Sequence, residues 1–190
     1  MILKQVFIIN GSGGVGKDAF VEIVMCSDKC IVRNYSSVTK VKEIARSIGW
    51  NGFKSEKDRK FLSDLKLLTT EYNDMPLNDM KKFVSGFMAD SKEPILNNVI
   101  EHKLPKIAFL HIREPEEIAR ALNEFEKYNA KSIIVKRESV KHITSNMADA
   151  NVFNFDYDVT IHNNGTLEEL EEKVSCFVND VLSDSLKSEY

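Results

Sequence analysis

Cysteine is scarce in this 190-residue chain, which carries only Cys26, Cys30 and Cys176. Cys26 and Cys30 stand four apart, but no nearby histidine or further cysteine completes a zinc set. The thiols therefore read as small buried hydrophobes of a reducing compartment. Long apolar runs are missing as well. No stretch approaches the ~18–20 residues of a membrane span. The run Met1–Ile9 is too short, and too soon followed by a polar loop, for a signal peptide. These absences predict a cytoplasmic, soluble protein with no membrane partner. Excess charge of one sign is absent too: 26 Lys and Arg face 29 Asp and Glu, a net charge of −3. That balance argues against a bulk electrostatic grip on nucleic acid. There is no internal repeat, low-complexity tract or Pro/Gly linker. The length suits one domain, monomeric or homodimeric, and a 43% hydrophobic content can build its core.

Strand and helix patterns alternate along the chain. Val6–Ile9 reads as a buried parallel strand ending in Asn10-Gly11. Phe20, Val21 and Val24 give residues 17–25 a helical spacing. Ile31–Tyr35 is a second strand. Val41, Ile44, Ala45 and Ile48 share a helical face, with Gly49 as its stop. Phe61, Leu62, Leu65 and Leu68 mark another helix, and residues 77–89 a third. Lys106–Ile112 is strand-like. Pro115, with Glu116 and Glu117, opens a helix whose buried face is Ile118, Leu122 and Phe125. Ser132–Val135 and Tyr157–Ile161 complete the strands. Thr166 and Glu169 form a capping-box signature for a last helix with the stripe Leu170, Val174, Phe177, Val178 and Val181. The final eight residues read as a frayed tail. This alternation predicts an α/β fold in three layers, a mostly parallel five-stranded sheet with helices on both faces. The wide gap between Tyr35 and Lys106 predicts a helical insertion, about 36–104, that carries specificity.

The strongest local signal is Gly11-Ser12-Gly13-Gly14-Val15-Gly16-Lys17, which fits G-x-x-x-x-G-K between an apolar strand and a helix. Glycines let backbone wrap around phosphate without Cβ clashes. Successive N–H groups then form an anion nest, and the helix start adds its positive dipole end. Lys17 reaches the outer phosphates as a point charge. Nucleoside triphosphate contacts are thus assigned to Gly11, Ser12, Gly13, Gly14, Val15, Gly16, Lys17, Asp18 and Ala19. Gly11-x-Gly13-x-x-Gly16 also matches a dinucleotide fingerprint, for which Arg33 could take a 2′-phosphate. Lys17 favours the triphosphate. Asp18 stands where a hydroxyl normally touches Mg²⁺. It either ligates the ion or simply favours the helix N-terminus.

On these residues the chain resembles the P-loop nucleotide kinases, and within them the subgroup with G-K-D, which includes phage-type deoxynucleoside monophosphate kinases and animal-type phosphomevalonate kinases. Tyr35–Arg46 resembles the strand end and helix that hold the acceptor phosphate. Ile112-Arg113-Glu114 resembles the D-V-R segment after the third strand. Tyr157–Leu170 resembles the closing strand and last helix. The resemblance implies ATP and Mg²⁺ as cofactors. Residues 138–154, polar and set between two strands, read as a lid in which Lys141 and Asp149 could contact phosphate, or equally as an ordinary surface connection. Two departures stand out. His111 occupies the place of an aspartate, as a general base or a packed histidine, and no arginine follows Arg137 where a mobile lid usually carries some.

The chain has six arginines: Arg33, Arg46, Arg59, Arg113, Arg120 and Arg137. Their planar forks suit phosphate oxygens. Arg113 and Arg137 each follow a strand, so with Lys17 they are the candidate catalytic cations. Ser36, Lys42, Arg46, Arg59 and Arg113 are candidate acceptor contacts, whereas Arg120 reads as a surface ion pair. Asp18 and Glu114 are candidate magnesium ligands; Glu114, Glu116 and Glu117 equally suit a helix start. The leading expectation is an ATP-dependent phosphotransferase acting on a small phosphorylated acceptor, a (deoxy)nucleoside monophosphate. A nucleotide-binding regulatory protein without kinase activity, or an NADP-dependent reductase, would share the loop.

Overall fold

The computed structural model of the chain describes residues 2–53, 55–89, 104–140 and 151–190. Five strands form one sheet: β1 (Lys4–Asn10), β2 (Ile31–Ser36), β3 (Lys106–His111), β4 (Lys131–Lys136) and β5 (Val159–His162). Their order across the sheet is β2-β3-β1-β4-β5. β1 pairs parallel with β3 and with β4, and β4 pairs parallel with β5. The central strand is buried at every residue but Lys4. This is why its sequence is a continuous apolar run rather than an alternating one.

Both faces of the sheet are covered by helices. On one face Phe7, Ile9, Phe109, Val135 and Ile161 meet α1 (Lys17–Met25) and the last helix, α6 (Leu167–Leu182). The Phe177 ring lies 5.2 Å from Phe7 and 5.3 Å from Phe20, centroid to centroid. Phe109 completes the cluster at 5.5 Å from Phe7. On the other face Val6, Ile8, Ala108, Leu110 and Ile134 are fully or almost fully buried, and α5 (Pro115–Glu124) packs there with Ile118 and Ala121. The helical periodicity placed Leu122 on that face. The structure leaves it half-buried and uses Ala121, because a helix this close to a sheet takes a small residue.

Tyr35–Ala89 make a separate compact unit. It holds α2 (Thr39–Ser47), α3 (Glu56–Asn73) and α4 (Met75–Met88). Val41, Ala45, Met80, Val84 and Met88 are buried. Tyr35 stacks on Phe83 at 4.5 Å, and its hydroxyl donates to Asp79. Two expected core positions are corrected. Ile48 is 64% exposed because it caps α2 just beyond its last turn, and Leu68 is 63% exposed on α3. Residues 90–103 of the expected insertion lie outside the described residues, as do residues 141–150 of the expected lid.

The end of the chain corrects a further expectation. Ser183–Tyr190 is no frayed tail. The Thr160 amide donates to Ser188 O at 2.7 Å, the His162 amide to Tyr190 O at 2.9 Å, and the Tyr190 amide to Thr160 O at 3.0 Å. The Tyr190 hydroxyl donates to Asp180 at 2.9 Å and its ring packs on Phe177. Backbone pairing and one aromatic anchor outweigh the polar composition that suggested disorder. The cysteine reading also changes: Cys30 is buried, but Cys26 and Cys176 are exposed. Burial pushes the Cys30 thiol up. Among the described residues no helix is long and apolar enough to cross a membrane.

Candidate phosphate-binding site

Because the strands run parallel, their C-terminal ends share one edge. Ile9 lies beside His111, Asn10 beside Ile134, and Lys136 beside His162. The chain leaves β1 for β2 on one side and later passes from β3 to β4 on the other. Such a switch point opens a crevice beyond the strand ends, where ligands of open α/β sheets bind. The loop Gly11–Gly16 leaves the end of β1 at this edge.

The loop's conformation follows from its sequence. Gly11, Gly14 and Gly16 have φ of 144°, 82° and 96°, a region costly for other residues. A Cβ on Gly11 would meet Val135 O at 2.6 Å. Val15 is buried in the core, and Ala19 packs against the same cluster. Their side chains therefore anchor the loop, and only their backbone is left to serve a phosphate. Gly16 is the N-cap residue of α1, so the loop ends at a helix N-terminus, with its favourable dipole end for an anion.

Lys17 folds back over the loop. Its ammonium donates to Gly11 O at 2.5 Å and Ser12 O at 2.8 Å. Ser12 is 3% exposed, and among the described residues its Oγ is the one buried side-chain polar atom with no hydrogen-bond partner. A buried hydroxyl without a partner costs free energy unless a ligand satisfies it. Glycines, ammonium and hydroxyl together suit an anion.

Asp18 is 86% exposed in the first turn of α1. Its carboxylate lies 4.0 Å from Nδ1 of His111, whose side chain is 19% exposed. Burial lowers the His111 pKa, with Lys17 and Arg113 adding to the effect and Asp18 opposing it. The neutral, packed form is thus favoured. Arg113 is exposed just beyond β3, and Glu114 is the N-cap residue of α5 without a side-chain cap bond. Arg137 follows β4, half-buried, with its carbonyl accepting from the Val140 amide. Among the described residues no three His, Cys, Asp or Glu side chains converge. A magnesium ion fits here only in the manner common to that ion, held by one or two carboxylates with phosphate and water oxygens.

Apart from Arg113, the acceptor candidates lie in the Tyr35–Ala89 unit. Ser36 Oγ accepts from the Val38 amide at 3.4 Å, and Arg46 stacks over Trp50 at 5.5 Å. Lys42 and Arg59 lie in α2 and α3.

Three side chains that sequence reasoning passed over surround the loop. Asn10 is fully buried. Its Oδ1 accepts from the Gly11 amide at 2.8 Å, and its Nδ2 donates to Arg113 O at 3.0 Å and to the Tyr157 hydroxyl at 2.7 Å. Burial pushes the Tyr157 phenol up to about 12, and its hydroxyl donates to Val152 O at 2.8 Å. Asn163 donates from Nδ2 to Val15 O at 2.8 Å. The one sequence signal was position: Asn10 ends β1 and Asn163 immediately follows β5, at the edge that bears the loop.

No protein-family model matches the sequence, and no curated protein matches it significantly. Two solved structures similar over 96% of this chain and 99% of theirs are of APS kinase CysC from Mycobacterium tuberculosis. A cysteine-to-alanine mutant shows 10% identity and a TM-score of 0.43. The complex with AMPPNP and APS shows 10% identity and a TM-score of 0.45. A likeness this distant assigns neither activity nor substrate to this chain.

Proposed function

We propose that the chain is an ATP-dependent phosphotransferase acting on a small phosphorylated acceptor, a (deoxy)nucleoside monophosphate, within the Gly-Lys-Asp subgroup of P-loop kinases. The observation that carries this reading is the loop itself. Its left-handed glycines, the Lys17 ammonium set over Gly11 O and Ser12 O, and the unpartnered Ser12 hydroxyl form a receptor for a polyphosphate. Phosphoryl transfer asks for positioning and neutralisation of charge more than for covalent chemistry. Lys17, Arg113 and Arg137 supply positive charge, and the burial of the His111 side chain agrees with a packed imidazole in a reaction that needs little base catalysis. Magnesium would be held by Asp18, with Glu114 as second candidate, and would supply neutralising charge to the donor phosphates. The acceptor assignments Ser36, Lys42, Arg46, Arg59 and Arg113 rest on the sequence pattern.

Strand order supports a triphosphate over a dinucleotide. In the dinucleotide fold the second strand lies directly beside the first, and its terminal side chain reaches the ribose. Here β3 stands between β1 and β2, which sets Arg33 two strands, about 10 Å, from β1. The regulatory alternative rests on His111 in place of a carboxylate.

A coupled ADP-release assay across nucleoside monophosphates, deoxynucleoside monophosphates, phosphomevalonate and APS tests the reading. Turnover restricted to one acceptor class is expected, with acceptor KM raised by Lys42→Ala, Arg46→Ala or Arg59→Ala. Tight ATP binding without turnover on any acceptor would favour the regulatory alternative.

A further inference from the structure

A nest binds an anion only when its peptide N–H groups point inward. In a planar trans peptide the C=O and the following N–H point in opposite directions. Fastening a loop carbonyl to the protein therefore aims the next amide away from that anchor. The loop uses this geometry three times. Lys17 fastens Gly11 O and Ser12 O, which aims the Ser12 and Gly13 amides. Asn163 Nδ2 fastens Val15 O, which aims the Gly16 amide at the start of α1. The Gly11 amide is oriented separately by Asn10 Oδ1.

On the phosphate-binding reading Lys17 would exchange these carbonyls for phosphate, whereas Asn163 is not free to follow. Its amide donates to Lys136 O at 2.8 Å at the end of β4. Asn164 beside it accepts from the Glu138 amide at 2.9 Å and donates to the Glu138 carboxylate at 3.0 Å. Asn163 is 6% exposed and its bond to Val15 O is buried. The approach also explains Gly16, since a Cβ there would collide with Asn163 Nδ2.

On the phosphate-binding reading of the loop, we infer that Asn163, assisted by Asn10, is a positioning residue. It holds the Val15–Gly16 peptide in the orientation that presents the Gly16 amide to the nucleotide phosphates whether or not Lys17 is engaged. Aspartate could not substitute, because its carboxylate would face the Val15 carbonyl with no proton to share.

Calorimetric titration with ADP and with inorganic tripolyphosphate tests this in the full chain. Asn163→Ala is expected to weaken both ligands about tenfold, the weight of one buried hydrogen bond, and Asn163→Asp more. Amide exchange should accelerate at Gly16 and leave the amides of β1 unchanged. In the Asn163→Ala background Gly16→Ala should cost less affinity than in the wild type, since one of its two penalties is gone. Wild-type affinity in Asn163→Ala, exchange accelerated equally across β1, or strict additivity with Gly16→Ala would each overturn the inference. A wild-type protein that binds neither ligand would overturn the phosphate-binding reading itself, which separates the two failures.

Discussion

His111 Nδ1 faces the Asp18 carboxylate at 4.0 Å, so the two elements that border the phosphate loop present one imidazole and one carboxylate to each other. Burial lowers the His111 pKa, which favours the neutral imidazole beside the exposed Asp18 carboxylate. Asp18→Asn is expected to weaken Mg·ADP about tenfold while metal-free ADP binds within about twofold of the wild type. His111→Asp should tighten Mg²⁺ in the ADP complex by adding a second oxygen ligand. Magnesium titrations of the ADP complex read both. Equal affinity of Asp18→Asn for Mg·ADP would show that Asp18 serves only the helix start.

Lys17→Met removes the ammonium held by Gly11 O and Ser12 O. ADP and ATP affinity should fall at least about a hundredfold, the weight of a charge-assisted hydrogen bond to phosphate in a partly buried site. Lys17→Arg should not restore binding, because a bulky planar fork does not replace a compact ammonium at the same reach from the loop. Recovery by arginine would argue that charge alone matters.

An aromatic cluster fills the core on the α1 and α6 side of the sheet. Phe177 touches Phe7, Phe20 and Tyr190. Phe177→Ala should destabilise the protein by about 3–5 kcal/mol in urea titration. Phe177→Leu, which leaves a smaller cavity, should cost less.

The clasp between Tyr190 and Asp180 sets a pH window. The Tyr190 hydroxyl, followed by Lys187, holds the Asp180 carboxyl below the usual range. Its contribution is present above the ordinary aspartate value and lost as pH falls through the lowered one. Burial, and then Asp180, pushes the Tyr190 phenol up to about 12. That contribution is complete below the ordinary tyrosine value and lost as pH rises toward 12. Amide exchange at Thr160 and Tyr190 should therefore be most protected, relative to the global fold, between these limits. In Tyr190→Phe the protection should fall and its pH dependence flatten.

Much of the sheet was legible because burial on both faces writes itself as apolar runs. Val6–Ile9 and Lys106–Leu110 needed no pattern finer than that. The backbone of the Gly11–Gly16 loop was legible because positive φ demands glycine, and glycine at Gly11, Gly14 and Gly16 is a visible mark. Asn10, Tyr157 and Asn163 were not, since a polar residue beside a strand end looks the same whether it meets water or a distant backbone group. Ile48 and Leu68 misled because helical periodicity gives a face but not what covers it. The tail misled because its order comes from pairing with Thr160 and His162, which are remote in sequence.

Strand β5 lies at the border of the sheet, and there the closing residues 188–190 occupy the hydrogen-bonding groups of Thr160 and His162. An uncovered border strand offers a template on which a foreign peptide or a neighbouring molecule can zip. By laying its own backbone along this margin, the protein denies that template to others. Trimming those few residues should cost solubility before it costs nucleotide affinity.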